Sequence, residues 1–282
     1  MGMDKIGVCG AGIMGSGLVQ LAVVNGYEAV LRSRTAESAS AARAQLETSL
    51  DKLVAKERMT SDERDAALTR ALFTADVSDL SDCDLVIECV VEDIDVKREL
   101  FRELDQVCKP HTLLATNTST LPVVELAVAT QRPDQVCGVH FFNPVHAMEL
   151  VEIVPPLTAS RETVDAVADF ATSCGKRAIE VKDEAGFVVN ALLFPYLNAA
   201  ISMLERGTAS MEDIDAAMKS GANYAMGPFA LLDLVGLDTS LSILDALHAE
   251  FGRPGDVAAP TLRRLVTAGH LGRKTGRGFY TY

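Results

Sequence analysis

A glycine-rich segment near the start of the chain constrains the fold more than any other feature. Gly10–Gly15 reads Gly-Ala-Gly-Ile-Met-Gly; it follows the apolar run Lys5–Gly10 and precedes the helical pattern Ser16–Asn25. A second short apolar run, Glu28–Leu31, comes next. A strand, a Gly-x-Gly-x-x-Gly turn, a helix and a second strand are typical of a βαβ unit that binds a dinucleotide at the helix N-terminus. A purely structural glycine turn is the alternative.

Each position of this loop has a distinct expected task. The first glycine permits the tight turn, the second lets the backbone approach a pyrophosphate, and the third lets the helix pack on the strand. We therefore predict that a dinucleotide cofactor is bound by Gly10, Gly12, Ile13, Met14 and Gly15.

The identity of the dinucleotide depends on the end of the second strand. About 20 residues after the glycine loop, an NAD site normally has a carboxylate that binds the ribose hydroxyls. This chain has Arg32, Ser33 and Arg34 there instead. A missing carboxylate beside two guanidinium groups suits the 2′-phosphate of NADP. We therefore predict that NADP(H) is favoured over NAD(H); two solvated arginines beside an ordinary NAD site are the alternative.

The pattern of apolar residues divides the chain into two regions. Residues 36–72 predict two antiparallel helices, and strand and helix patterns then alternate up to about Asp183. Only helical patterns follow, over 187–270. These patterns predict a doubly wound α/β domain of the Rossmann type over residues 1–184, with a mostly parallel sheet and a helical-pair excursion. An all-α domain is predicted over 185–282.

Composition limits the classes of partner. The chain has 26 basic and 39 acidic residues, a net charge of −13, which disfavours nonspecific binding to nucleic acid or anionic membrane. No apolar run approaches the roughly 18–20 residues that span a bilayer, and the first ten residues lack the apolar core of a secretory signal. The six cysteines are scattered without a Cys-x-x-Cys pair. We expect a cytoplasmic protein without a metal site, a nucleic-acid partner or a membrane partner.

Six further motifs carry a resemblance that covers nearly the whole chain. They are Val-Ile-Glu-Cys-Val-Val-Glu at 86–92, Ala-Thr-Asn-Thr-Ser-Thr at 115–120, Gly-Val-His-Phe-Phe-Asn-Pro at 138–144, Leu-Val-Glu-Ile at 150–153, Asp-Glu-Ala-Gly-Phe-Val-Val-Asn at 183–190 and Gly-Arg-Gly-Phe-Tyr at 276–280. In this order and spacing the chain resembles the 3-hydroxyacyl-CoA dehydrogenases, particularly the single-function 3-hydroxybutyryl-CoA type. It departs from them at Ala191, where the family usually has Arg, and in lacking the acidic ribose-binding residue.

The resemblance implies an oxidoreductase that interconverts (S)-3-hydroxyacyl-CoA and 3-oxoacyl-CoA by hydride transfer with NAD(P). It implies that His140 is the general acid/base, that Glu152 pairs with the imidazole, and that Ser119 and Asn190 hydrogen-bond the substrate oxygen. Oxidation of a secondary alcohol needs a base for the O–H proton, which suits an imidazole. Taken singly, each has a structural alternative: a structural histidine, an edge-strand carboxylate, a helix cap at Ser119 and a backbone partner at Asn190.

The resemblance also implies further cofactor contacts. Glu92, Lys97, Asn117 and Asn143 match family positions near the nicotinamide half of the cofactor, and Lys274 is a weaker candidate for the same role. The alternatives are charges at a helix start, asparagines in turns, and a solvated basic loop.

Three residues of the helical excursion match family contacts to coenzyme A. Ser49, Lys52 and Lys56 share one helix face, at positions i, i+3 and i+7, and the resemblance adds Ser119 to the substrate contacts. A solvated helix face explains the three equally well.

The apolar residues of the helical domain and the resemblance together predict a homodimer. Two other functions stay open: a dehydrogenase of a small hydroxy acid or sugar acid on the same fold, and a dinucleotide-binding protein without turnover. Lys52 and Lys56 discriminate, because only a CoA substrate needs basic residues on the helical excursion.

Overall fold

An eight-stranded sheet forms the centre of the first unit of the computed structural model, which describes residues 2–282. This unit ends at Asp183. The strands are β1 (Lys5–Cys9), β2 (Glu28–Arg32), β3 (Ala71–Thr74), β4 (Leu85–Glu88), β5 (Leu113–Thr116), β6 (Val136–Phe141), β7 (Leu150–Val154) and β8 (Arg177–Glu180). Their order is β3-β2-β1-β4-β5-β6-β7-β8, and every neighbouring pair is parallel except β6 and β7. Because chain order reverses between β1 and β4, a ligand crevice is expected at the carboxyl ends of these strands.

Six helices accompany the sheet: α1 (Ile13–Val24), α2 (Ala36–Ala55), α3 (Ser61–Thr69), α4 (Ile94–Val107), α5 (Val123–Ala127) and α6 (Arg161–Ser173). The central strands β1 and β4 are almost wholly buried, which is why they appear in the sequence as continuous apolar runs. The predicted fold class, a Rossmann-type domain followed by a helical domain, is confirmed.

The predicted helical excursion is present, but its boundaries differ from the expectation. Thr60 and Glu63 form a capping box that starts α3. The prediction that helix continues to residue 72 is wrong, because β3 begins at Ala71 and pairs with β2. This short edge strand is half exposed, with Leu72 at 48% exposure, so it lacks the buried apolar run that marks the central strands.

The second unit, Glu184–Tyr282, is helical. Its helices are α7 (Val189–Glu205), α8 (Met211–Gly221), α9 (Pro228–Val235), α10 (Leu237–Phe251) and α11 (Pro260–Thr267). They pack around their own apolar core, which includes Phe194, Leu197, Phe229, Leu244 and Leu262. Across residues 2–282, no helix combines the length and the apolarity that a membrane crossing requires.

Two buried aspartates fix the C-terminal segment of the second unit. Asp233 accepts hydrogen bonds from the backbone N–H groups of Phe279 (2.9 Å) and Tyr280 (2.8 Å). Asp215 accepts from the N–H of Phe229 (2.8 Å) and from the Tyr280 hydroxyl (3.0 Å). These carboxylates therefore tie the last residues to α8 and α9 by charge-assisted hydrogen bonds.

Candidate active site

The antiparallel pairing of β6 and β7 places His140 directly opposite Glu152. The imidazole Nδ1 lies 2.7 Å from Oε2 of Glu152; the histidine is 4% exposed and the glutamate is wholly buried. Because an ionised carboxylate only accepts hydrogen bonds, this contact puts the ring proton on Nδ1 and leaves Nε2 for proton exchange. The carboxylate also compensates the charge of the imidazolium when Nε2 is protonated.

Ser119 lies on the other side of the imidazole, in the loop that follows β5. Its Oγ is 3.2 Å from Nε2 of His140. A capping role is excluded, because α5 begins after Pro122, whose side chain caps nothing. The free N–H groups of Val123 and Val124 donate instead to the carboxylate of Asp183, at 2.8 and 2.9 Å. Ser119, His140 and Glu152 therefore form one hydrogen-bonded relay.

Glu92 holds the backbone and side chains of the Ser119 loop. Its Oε1 accepts from the Thr118 hydroxyl at 2.5 Å and from the Ser119 N–H at 2.8 Å. Partial burial alone would raise the pKa of Glu92, but the Lys97 ammonium and these hydrogen bonds outweigh it and hold the pKa below its usual value. Glu92 is thus an ionised anchor for the loop at neutral pH.

Lys97 does not have the placement expected for a direct cofactor contact. It is 1% exposed, and its Nζ lies 2.7 and 2.9 Å from the two carboxylate oxygens of Glu88 and 3.2 Å from Glu92. An ammonium has three N–H donors, and these three oxygens take all of them. Burial lowers the pKa of Lys97, but the two carboxylates outweigh it and hold the pKa above its ordinary value.

The two predicted asparagines follow β5 and β6. Asn117 accepts a hydrogen bond from the Phe141 N–H at 2.9 Å, which joins the end of β5 to the strand that carries His140. Asn143 is exposed in the loop after β6. Ser119, Glu92 and Asn117 thus lie around the end of the strand that carries His140.

The glycine loop has the shape of a phosphate cradle. Gly10 has φ +117°, and a Cβ there would lie 2.6 Å from the carbonyl oxygen of Cys89, whereas a Cβ at Gly15 would lie 1.9 Å from the carbonyl of Gly10. Gly12 faces open space, so a ligand can approach the backbone closely. Ile13 is 69% exposed at the first turn of α1, and Met14 follows it. With no acidic residue in that turn, the residues fit a pyrophosphate group.

A cleft of about 640 Å³ extends from this loop. One wall is residues 32–34 at the end of β2, and the other is the face of α4 that carries Val96, Glu99, Leu100 and Glu103. The two glutamates are not among the predicted site residues, although the helical spacing of these four residues indicates a shared face. Arg32 approaches Glu103 at 3.8 Å, whereas Arg34 is exposed and makes no hydrogen bond or ion pair within residues 2–282.

The hydroxyl of Ser33 has its hydrogen-bond partners within its own turn. The side chain is buried; its Oγ donates to the Thr35 carbonyl at 2.7 Å and accepts from the Ser38 hydroxyl at 2.9 Å. Its one donor is therefore used within the turn. Ser33 therefore matters to the cleft only because it is not an acidic residue.

Family models match both units. The 3-hydroxyacyl-CoA dehydrogenase NAD binding domain matches residues 5–184, and the C-terminal domain of the same family matches residues 186–282. The chain belongs to the 3-hydroxyacyl-CoA dehydrogenase family. The resemblance noted in the sequence is therefore confirmed, and with it the expectation of an oxidoreductase.

Similar proteins align over the full length. A 3-hydroxybutyryl-CoA dehydrogenase of Clostridioides difficile is 45% identical over 99% of both chains. The human mitochondrial hydroxyacyl-coenzyme A dehydrogenase is 42% identical over 99% of this chain and 91% of its own length. Among solved structures, Mycobacterium tuberculosis FadB2 is 45% identical with a TM-score of 0.98, and each chain is covered completely.

The residues that the family resemblance relates to coenzyme A lie on α2. Ser49 donates to the Gln20 side chain at 2.7 Å and lines a groove of about 140 Å³ together with Asn143 and His146. Lys52 and Lys56, which follow on α2 and at its C-terminal cap, are exposed.

Two further predicted site residues lie in the second unit. Asn190 is buried in the first turn of α7. Lys274 contacts both carboxylate oxygens of Asp238 at 2.6 Å. The ammonium of Lys274 thus has a carboxylate partner within its own unit.

Proposed function

We propose that the protein interconverts (S)-3-hydroxyacyl-CoA and 3-oxoacyl-CoA, with 3-hydroxybutyryl-CoA as the substrate class. The observation that carries the proposal is the relay Ser119–His140–Glu152, in which a buried carboxylate orients an imidazole whose other nitrogen meets a hydroxyl. A non-catalytic dinucleotide-binding protein has no need of such a relay.

The relay supplies the proton chemistry. In the oxidation direction, Nε2 of His140 accepts the proton of the substrate 3-hydroxyl, and Glu152 stabilises the resulting imidazolium. A nicotinamide cofactor held at the glycine loop of residues 10–15 would supply the acceptor for the hydride that leaves C3 of the substrate. Ser119 hydrogen-bonds the reacting oxygen, and we assign Asn190 to the same oxygen. In the reduction direction, His140 returns the proton to that oxygen.

The cofactor preference proposed is NADP(H) over NAD(H). The exposed Arg34 at the cleft is an available cation for a 2′-phosphate, and Ser33 puts no opposing carboxylate there. The carboxylate of Glu103 competes with a 2′-phosphate for the Arg32 guanidinium, so the proposed preference for NADP(H) depends mainly on Arg34. One charge-assisted contact of about 1.5–3 kcal/mol corresponds to roughly tenfold or more discrimination. Gly10, Gly12, Ile13, Met14 and Gly15 are the residues we assign to the pyrophosphate.

Coenzyme A is assigned to α2. Lys52 and Lys56 are exposed cations one turn apart. Ser49, one turn before Lys52, can contribute only as an acceptor, because its hydroxyl donates to Gln20.

We also propose a cytoplasmic homodimer. The second unit supports the dimer with large apolar side chains that are 42–73% exposed: Val188, Leu192 and Leu234. Sedimentation should give about twice the chain mass of 30.1 kDa; a stable monomer at micromolar concentration would contradict the dimer.

The proposed activity is tested by reduction of acetoacetyl-CoA with NADPH and NADH side by side, followed by nicotinamide absorbance. Acetoacetate without coenzyme A is the matched control. We expect turnover of the thioester only, faster with NADPH. Turnover of the free acid alone would favour the small hydroxy-acid function, and no turnover of either would refute the proposed activity.

A further inference from the structure

Glu88 and Lys97 form an ion pair inside the first unit that no part of the proposed chemistry uses. Glu88 ends β4 and is 0% exposed, whereas Lys97 lies in the first turn of α4 and is 1% exposed. Thr116 donates to Glu88 at 2.8 Å, and the Val90 N–H donates at 2.5 Å. Every charge and hydrogen-bonding group of the pair thus has a partner.

A buried ion pair alone is weak evidence for a contribution to stability, because desolvation offsets the attraction. This pair has a further contact that a purely internal pair does not need. The third donor of Lys97 reaches Glu92, whose other carboxylate oxygen accepts from Thr118 and from the Ser119 N–H. A continuous chain of contacts therefore runs from Glu88 to the backbone of Ser119.

We propose that the Glu88–Lys97 pair is a positioning device for Ser119, acting through Glu92. Glu88 immobilises the Lys97 ammonium, and Lys97 fixes the carboxylate of Glu92. Glu92 then fixes the loop so that Ser119 Oγ meets Nε2 of His140 at 3.2 Å. The inference rests on the proposed role of Ser119 and makes Lys97 a positioning residue rather than a direct cofactor contact.

Charge balance makes this inference separable from a general effect on folding. Glu88→Gln alone leaves Lys97 with one carboxylate, and Lys97→Met alone leaves a buried Glu88 without its cation. The double variant Glu88→Gln/Lys97→Met removes both charges and keeps similar side-chain volumes. If the pair is purely structural, such neutral side chains replace it without loss of activity. If the pair positions Ser119, activity is lost, because the double variant removes the contact of Lys97 with Glu92.

The matched control is a second ion pair of the same unit. Arg132 and Asp105 are 13% and 11% exposed and 2.7 Å apart, and neither contacts Glu92 or Ser119. The double variant Asp105→Asn/Arg132→Met removes a comparable pair of charges from a place where the relay is not involved.

Two readouts test the proposal in the full-length protein. For Glu88→Gln/Lys97→Met we expect kcat for acetoacetyl-CoA to fall about tenfold or more, with a smaller change in the KM for the cofactor. We also expect at least about tenfold faster amide hydrogen exchange in the segment 118–121. The control should retain kcat and the exchange rate of that segment.

Unchanged exchange in 118–121, or a kcat equal to that of the control, would overturn the positioning role. The exchange readout needs no turnover, so a wild type that is inactive on acetoacetyl-CoA would refute the proposed activity and leave this test intact. If the double variant does not fold, the single variant Glu88→Gln decides. It removes the carboxylate that immobilises Lys97 and leaves Glu92 and the loop unchanged in sequence, and an unchanged kcat together with unchanged exchange in 118–121 would again overturn the proposal.

Discussion

The two ends of the proposed cofactor site are built differently. At the relay, His140 and Glu152 are nearly or wholly buried and lie on neighbouring strands whose register fixes their contact at 2.7 Å. At the cleft beside α4, Arg34 is exposed, and the guanidinium of Arg32 lies 3.8 Å from the carboxylate of a partly exposed Glu103. The proposed chemistry thus depends on groups that strand pairing fixes, whereas the proposed cofactor preference depends on exposed or partly exposed charges at the protein surface.

This difference predicts how substitutions act. A change in the relay alters a preorganised hydrogen-bonded group and should lower kcat whichever cofactor is used. A change in the cleft alters which cofactor binds and should leave the chemistry intact. The following predictions test that separation, beginning with the largest effect.

Removal of the imidazole should have the largest effect. His140→Ala leaves no group to exchange the substrate proton, so we expect kcat to fall by about 10² or more with either cofactor. Steady-state kinetics with acetoacetyl-CoA measure it. Retention of more than about a third of the wild-type kcat would remove His140 from the proposed mechanism.

Glu152→Gln should have a smaller effect of the same kind. The amide keeps the shape of the side chain but cannot compensate the imidazolium, so kcat should fall about tenfold or more. The dissociation constant of NADPH should stay near the wild-type value, because the role assigned to Glu152 is to orient the imidazole and not to bind the cofactor. A loss of cofactor binding of the same size as the loss of kcat would contradict the separation of the two regions.

The cleft should respond in the opposite manner. In Ser33→Asp/Arg34→Ala, the new carboxylate can bind ribose hydroxyls and the cation for the 2′-phosphate is gone. We expect the ratio of kcat/KM for NADPH over NADH to fall roughly tenfold to a hundredfold, with kcat on acetoacetyl-CoA retained. Arg34→Ala alone is the control; it should lower kcat/KM for NADPH without raising kcat/KM for NADH. An NADH preference in the wild type would refute the proposed cofactor choice.

The smallest effect is expected at α2. Lys52→Ala/Lys56→Ala should raise the KM for acetoacetyl-CoA several-fold, which corresponds to about 1 kcal/mol of lost binding free energy. The kcat should be unchanged, because contacts to the phosphates of coenzyme A stabilise the ground state and the transition state alike. Arg43→Ala/Arg58→Ala removes two nearby exposed charges and should leave this KM unchanged. Equal KM values in the two double variants would return Lys52 and Lys56 to a solvated helix face.

The elements that could be predicted from the sequence are those with a local signal. The glycine loop, the buried strands and the helices of the second unit follow from apolar periodicity and turn chemistry. The contact of His140 with Glu152 follows from the family resemblance, and its geometry depends on the antiparallel register of β6 and β7, which apolar runs do not specify.

The predictions that the structure corrects depend on contacts between separate elements of the fold. The edge strand β3 was missed because it is held by β2 and carries no buried apolar run. The position of Lys97 was assigned to the cofactor, whereas its ammonium is held by Glu88 at the end of β4 and by Glu92 in the following loop. A residue type indicates what a side chain can bind; its partners are decided by tertiary structure.

The most direct test of the central claim follows the hydride itself. Acetoacetyl-CoA is reduced with NADPH that carries deuterium in the transferable C4 position, and the product is analysed by mass spectrometry. We expect the wild type to form 3-hydroxybutyryl-CoA with deuterium at C3, and we expect this product to be lost with His140→Ala. A product without deuterium at C3, or equal formation by His140→Ala, would contradict hydride transfer at the Ser119–His140–Glu152 relay.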